Sequence, residues 1–134
     1  DGAVWSWGQG GLDALGHGSL QNQLLPKKIE AFDGQRVVAV SAGGMHSLAL
    51  AADGAVWSWG LGAYGQQAQW QPKKVEAFAG QRVVAVSADA MHSLAVTAGA
   101  VFTWGKGETG CLGHGEDLSN QMLPKKVEAW APGQ

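Results

Sequence analysis

One phrase recurs three times along this chain, and its recurrence restricts the fold more than any other feature does. DGAVWSWG at Asp1 to Gly8 returns unchanged at Asp53 to Gly60 and, loosened to AGAVFTWG, at Ala98 to Gly105. PKK(I/V)EA(F/W) starts at Pro26, Pro72 and Pro124, and GQRVVAVSA starts at Gly34 and Gly80. Self-similarity at this period means that each unit is one supersecondary element unable to bury its apolar face alone, so neighbours must stack to make a core. The spacing is uneven: Trp7 and Trp59 are 52 residues apart, Trp59 and Trp104 only 45. The loss falls between the Trp and Pro phrases, which are 19, 13 and 20 residues apart in successive copies. One loop has shortened while its flanking elements kept register, as loops do more readily than the elements they join.

Each unit holds segments of strand character separated by glycine-rich punctuation. RVVAVSA (Arg36 to Ala42, Arg82 to Ala88) is a continuous apolar run rich in valine, which predicts a strand covered on both faces. HSLAL and HSLAV (His46 to Leu50, His92 to Val96) come after a tight turn. AVWSW and AVFTW alternate, which places Trp5 with Trp7, Trp57 with Trp59, and Phe102 with Trp104 on one face. The PKK phrases begin with proline and carry charge, the marks of an edge strand starting at that proline. Side-chain volume rises along this order, from Val, Ala and Ser to Trp and Phe. Sheets radiating from a common axis diverge outward and need larger fillers there to keep interior density, so the gradient predicts four-stranded antiparallel propeller blades.

The bulk numbers exclude several classes. A net charge of -2 and 15% charged residues give no electrostatic footprint for nucleic acid or an anionic membrane. The three Lys-Lys pairs recur at the repeat period, each with a Glu close behind, and read as solvated strand edges. Cys111 is the only cysteine, so an internal disulfide is impossible. With no apolar run of membrane-spanning length and no visible signal peptide, an intracellular setting without membrane insertion is expected.

VSAGGMHSLAL at Val40 to Leu50, with WG-x-G at Trp7 to Gly10 and LGHG at Leu15 to Gly18, resembles the regulator of chromosome condensation repeat family. The resemblance covers essentially the whole chain. The second copy departs from the family pattern, with Asp89 at a usual glycine position and GLGAYGQQAQWQ (Gly60 to Gln71) in place of the LGHG loop. The resemblance implies an all-β fold, part of a seven-bladed propeller. At this period a closed ring needs about 360 residues, so 134 residues make about two and a half blades. The expected division is a half blade of two outer strands over 1–34 and complete blades over 35–80 and 81–134. The remaining blades are expected from the same longer chain or another subunit.

Chemical constellations dissolve into the repeat. GLGAYG (Gly60 to Gly65) and GKGETG (Gly105 to Gly110) match G-x-G-x-x-G, but each opens a loop that leads to a strand, not the helix a dinucleotide needs. His46 with His92, and His17 with His114, occupy equivalent positions on successive units, too far apart to share a metal, and are expected to bond turn backbone. Ser47 and Ser93 neighbour histidines in sequence, but adjacent strand residues face opposite ways, so no nucleophile and base pair is expected. Cys111, where the family usually has a polar residue, reads as a partly buried spectator ahead of a redox or modification site, and the loop pair Glu116 and Asp117 is too little for calcium. No catalytic residue, metal or cofactor is predicted.

Protein partners are. The resemblance places Gly44-Met45 and Ala90-Met91 on turns at one face of the disc near its axis, where methionines make adaptable apolar contacts. Tyr64 and Trp70, aromatic residues in the shortened polar loop, are candidate interface anchors, with a cap on its own blade as the alternative role for Trp70. The implied role is a non-catalytic protein-interaction scaffold. Alternatives within the family's range are guanine-nucleotide exchange on a small GTPase and substrate recruitment for a ubiquitin ligase.

Overall fold

The computed structural model describes residues 2–8, 15–18, 21–44, 46–60, 69–78, 80–89, 92–105, 107, 112–114, 117 and 119–128. Two four-stranded antiparallel sheets and one two-stranded sheet succeed one another along the chain. The first sheet pairs β1 (Trp5–Gly8) with β2 (Gln23–Lys28). The second runs β3 (Val37–Ala42), β4 (His46–Ala51), β5 (Val56–Gly60) and β6 (Gln69–Lys74) in sequence order. The third repeats that meander with β7 (Val83–Ala88), β8 (His92–Thr97), β9 (Val101–Gly105) and β10 (Gln121–Lys126). The architecture is thus all-β, with meandering sheets of the propeller-blade kind and, among the described residues, no closed barrel.

Sequence identity between units is copied down to the irregularities. β3 and β4 shift register between Val37 and Ala39, and β7 and β8 shift between Val83 and Ala85. The outermost ladder is irregular in all three sheets. In the first, Ser6 pairs with Lys27 and Gly8 with Gln23, leaving Pro26 inside the irregular stretch. This corrects the expected strand start. β2, β6 and β10 begin upstream of their prolines, at Gln23, Gln69 and Gln121. A residue without an N–H is tolerated there because the strand is an edge and its ladder is already interrupted. The strand also ends sooner than expected, on the second lysine, and Glu30–Phe32 and Glu76–Phe78 each form one 3-10 turn.

The core lies between sheets rather than within one. Val4, Ile29, Phe32, Ala49 and Trp59 join the first sheet to the second. Leu48, Leu50, Val56, Phe78, Val83, Ala95 and Trp104 join the second to the third. The 3-10 turns aim the rings: Phe32 meets Trp57 and Trp59 edge-on at 5.8 and 5.6 Å between centroids, and Phe78 meets Phe102 and Trp104 at 5.3 and 5.7 Å. Such pairs add to the burial of area because the positive ring edge meets a negative face.

Backbone stitches the same boundaries. Val37 and Val83 donate their N–H groups to the carbonyls of Gly2 and Gly54, each at 3.1 Å. Gly54 adopts φ +89°, and a Cβ there would lie 2.6 Å from Cγ of Arg82, so only glycine allows this approach. The valine run, expected to be covered on both faces, is covered on one at most. Val83 is buried, whereas Val38, Val40 and Val84 are exposed. β3 and β7 are the first strands of their sheets, and Val86, the counterpart of Val40 one unit on, packs against the core between the second and third sheets. Among the described residues no helix is long and apolar enough to cross a membrane.

Candidate interaction face

The turn after β3 closes with a hydrogen bond from the Gly43 N–H to the His46 carbonyl, and the turn after β7 with one from Asp89 to His92, at 2.7 and 2.9 Å. The two turns meet at the boundary between sheets. A Cβ on Gly43 would lie 2.5 Å from the Asp89 carbonyl oxygen and 3.0 Å from Cε1 of His46, so the glycine lets one turn seat against the next. Gly44 is exposed on the first of these turns. Met45, Ala90, Met91 and Tyr64 lie outside the described residues, and Trp70 is described only through its backbone in β6.

Beneath the turns, Nε2 of His46 and Oγ of Ser93 share a hydrogen bond of 2.7 Å across the sheet boundary. This corrects the expectation that the histidines bond turn backbone. Ser93 is one repeat on from Ser47, and that offset is the only sequence signal that points to it as the partner. A serine beside an imidazole has the composition of a nucleophile and base, yet His46 is 3% exposed and Ser93 0%. A nucleophile must touch its substrate, so this pair is a strut. Burial pushes the His46 imidazole below its ordinary value, and His92 nearby adds to the shift. His92 itself lies 4.0 Å from the Asp89 carboxylate. The Ala88 N–H donates to Oγ of Ser41 across the same boundary at 2.9 Å.

The LGHG loops are tied down by a second device, present in the first and third units. Ser6 Oγ donates to the Leu15 carbonyl at 2.6 Å and lies 2.9 Å from Nε2 of His17. Thr103 Oγ1 donates to the Leu112 carbonyl at 2.7 Å and lies 2.9 Å from Nε2 of His114. Each hydroxyl has one proton and spends it on the carbonyl, so the imidazole Nε2–H must be the donor in the second bond. Both imidazoles are pushed below their ordinary value, by burial first and by Lys27 or Lys125 second. Gly16 in the first loop packs against the Trp59 ring of the next sheet, its would-be Cβ 2.9 Å from Nε1. In the third unit Lys125 bonds the Asp117 carboxylate at 2.8 Å, and with Ser119 it holds that carboxyl well below the usual range.

Among the described residues no group of three His, Cys, Asp or Glu side chains is placed to hold a metal ion. Cys111 and Glu116 lie outside the described residues, as does most of each G-x-G-x-x-G stretch.

Three stretches, residues 1–50, 53–96 and 98–131, match the regulator of chromosome condensation (RCC1) repeat. The chain is 36% identical to the ultraviolet-B receptor UVR8 of Arabidopsis thaliana over 136 residues, which take in 96% of this chain and 31% of the receptor. It is 40% identical to the E3 ubiquitin-protein ligase HERC2 of Homo sapiens, over 95% of this chain and 3% of the ligase. Prp20p from Saccharomyces cerevisiae, whose crystal structure was presented with its binding to Gsp1p and histones, superposes with a TM-score of 0.80 at 29% identity, covering 96% of this chain and 35% of that one. The chain therefore spans about a third of the receptor and of Prp20p. Repeated meandering sheets, cores shared between them and a threefold sequence match lead to one conclusion: the chain belongs to the regulator of chromosome condensation (RCC1) repeat family, and its sheets are β-propeller blades of that family.

Proposed function

We propose that the chain serves as a non-catalytic protein-interaction scaffold, a segment of an RCC1-like propeller that holds a protein partner on the turns near its axis. The observation that carries this reading is the use of the polar side chains. His46 with Ser93, His17 with Ser6 and His114 with Thr103 all connect one structural element to another, while Gly44 on the turn after β3 is exposed. The similarity to Prp20p, which binds Gsp1p and histones, supports protein as the partner class. On this reading Gly44, Met45, Ala90 and Met91 form the contact, with Tyr64 and Trp70 as outer anchors. The half-blade and two-blade division at 1–34, 35–80 and 81–134 belongs to the same proposal.

Photo-crosslinking residues placed at positions 45 and 91, compared with one at Lys73 on the rim, test the scaffold reading. One protein captured from both turn positions and not from the rim is expected; equal recovery at all three positions would remove the proposal. A second reading, exchange of guanine nucleotide on a small GTPase, is favoured by the likeness to Prp20p. Nucleotide release from a GTPase panel separates the two, since the scaffold reading expects no acceleration.

A further inference from the structure

Each of the three sheets ends on an edge strand closed by two lysines: Lys27 and Lys28 in β2, Lys73 and Lys74 in β6, Lys125 and Lys126 in β10. In the first, Lys28 pairs with the Asp33 carboxylate at 3.5 Å, and in the third, Lys125 pairs with Asp117 at 2.8 Å. The middle sheet has an apolar boundary with a neighbour on each side, and its two lysines are both exposed. Among the described residues no carboxylate pairs with Lys73 or Lys74.

The difference is written in the middle unit itself. Asp33 stands seven residues after Pro26, and the residue seven after Pro72 is Ala79. Ala79 lies outside the described residues, but in no placement does it offer a carboxylate. The loop that supplies Asp117 to Lys125 has as its counterpart residues 61–68, which hold no acid. Between Asp53 and Asp89 the only carboxylate is Glu76, against Lys73, Lys74 and Arg82. Arg82 donates to the Ala52 carbonyl at 3.3 Å, a bond that leaves its charge uncancelled. The rest of the chain carries ten carboxylates against six lysines and arginines. Positive charge is thus concentrated on one internal edge of an otherwise acidic chain.

We propose that Lys73 and Lys74, on the edge of the middle sheet, dock an acidic segment of a partner protein. Pro72 and the irregular ladder beside it discourage the segment from adding as a further strand, so side-chain charge carries the contact. One exposed ion pair is worth little, and the ligand therefore needs carboxylates for both lysines. A nucleic acid or an anionic bilayer spreads its charge widely and would also meet the acidic remainder of the chain, whereas a short peptide meets the edge alone. This contact is separate from the axial turns and does not depend on which partner they hold.

Fluorescence anisotropy of a short labelled peptide of alternating glutamate and alanine tests it, titrated with the 134-residue chain at low ionic strength. The unaltered chain is expected to bind, and added salt to weaken binding by screening exposed charge. Lys73→Gln with Lys74→Gln should weaken it about tenfold, whereas Lys73→Arg with Lys74→Arg, which keeps the charge, should bind like the unaltered chain. Lys27→Gln with Lys28→Gln makes the same change of net charge in the first unit and should alter binding by less than about twofold. Ala79→Asp, which offers Lys74 the carboxylate that Lys28 has in Asp33, should weaken binding with both lysines in place. An unaltered chain that does not bind, an equal loss from the two glutamine pairs, an arginine pair that fails to bind, or Ala79→Asp without effect would each overturn the proposal. Tighter binding to duplex DNA or to phosphatidylserine vesicles than to the peptide would overturn it as well.

Discussion

Ser93 holds its hydroxyl 2.7 Å from Nε2 of His46 with no exposed surface of its own. Removing that hydroxyl leaves a buried ring nitrogen without its partner. Ser93→Ala should therefore destabilise the chain by about 1–3 kcal/mol in urea unfolding, the cost of an orphaned buried polar group. Acid acts on the same pair. Nδ1 of His46 is buried and, among the described residues, lacks a hydrogen-bond partner, so the protonated ring would hold a charge and an unpaired Nδ1–H in a buried site beside His92. Because the folded imidazole lies below the ordinary value of 6.5, the unfolded chain binds more protons below that point. Stability is then full above about pH 6.5 and falls as pH drops from there through the folded value. His17 and His114 carry the same sign. Urea midpoints should fall between about pH 7.5 and about pH 5.5, and His46→Gln should flatten the difference.

At the scale of the element, the ring at the end of each 3-10 turn joins one sheet to the next. Phe78→Ala empties a site bounded by Phe102 and Trp104 and should cost about 3–5 kcal/mol, read from urea midpoints. The exposed Val84, changed to Ala, should change the midpoint little. The strands themselves are legible in the sequence, since AVWSW alternates and its glycines mark the turns. The outer strand is legible in kind but not in extent. Pro72 looks like a beginning because proline usually opens a strand, whereas an already broken edge ladder accepts it in mid-strand. The valine run misleads because an apolar run reports what a strand can bury, not what stands beside it. The partner of Phe32 is not legible at all. Nothing local in Glu-Ala-Phe says whether its ring turns back on its own sheet or forward onto Trp57 and Trp59.

For the whole molecule, stability resides in boundaries. Residues 35–80 contain one complete sheet, but its two apolar clusters draw on Val4, Ile29 and Phe32 before it and on Val83, Ala95 and Trp104 after it. A fragment of those residues alone is expected to be unfolded, showing no near-ultraviolet circular dichroism from Trp57 and Trp59, whereas the full chain shows it. The family and fold are readable from the sequence because three near-copies of one phrase leave few architectures open. The candidate partner contacts are less so, for Met45 and Met91 are assigned by resemblance and not by any periodicity. Phe32 is written with the strand it trails yet shelters the indoles of the sheet ahead. The sheet and the unit that holds together are thus out of step, and any grafted or deleted sheet must carry a junction from each neighbour or leave one hollow and one orphaned ring.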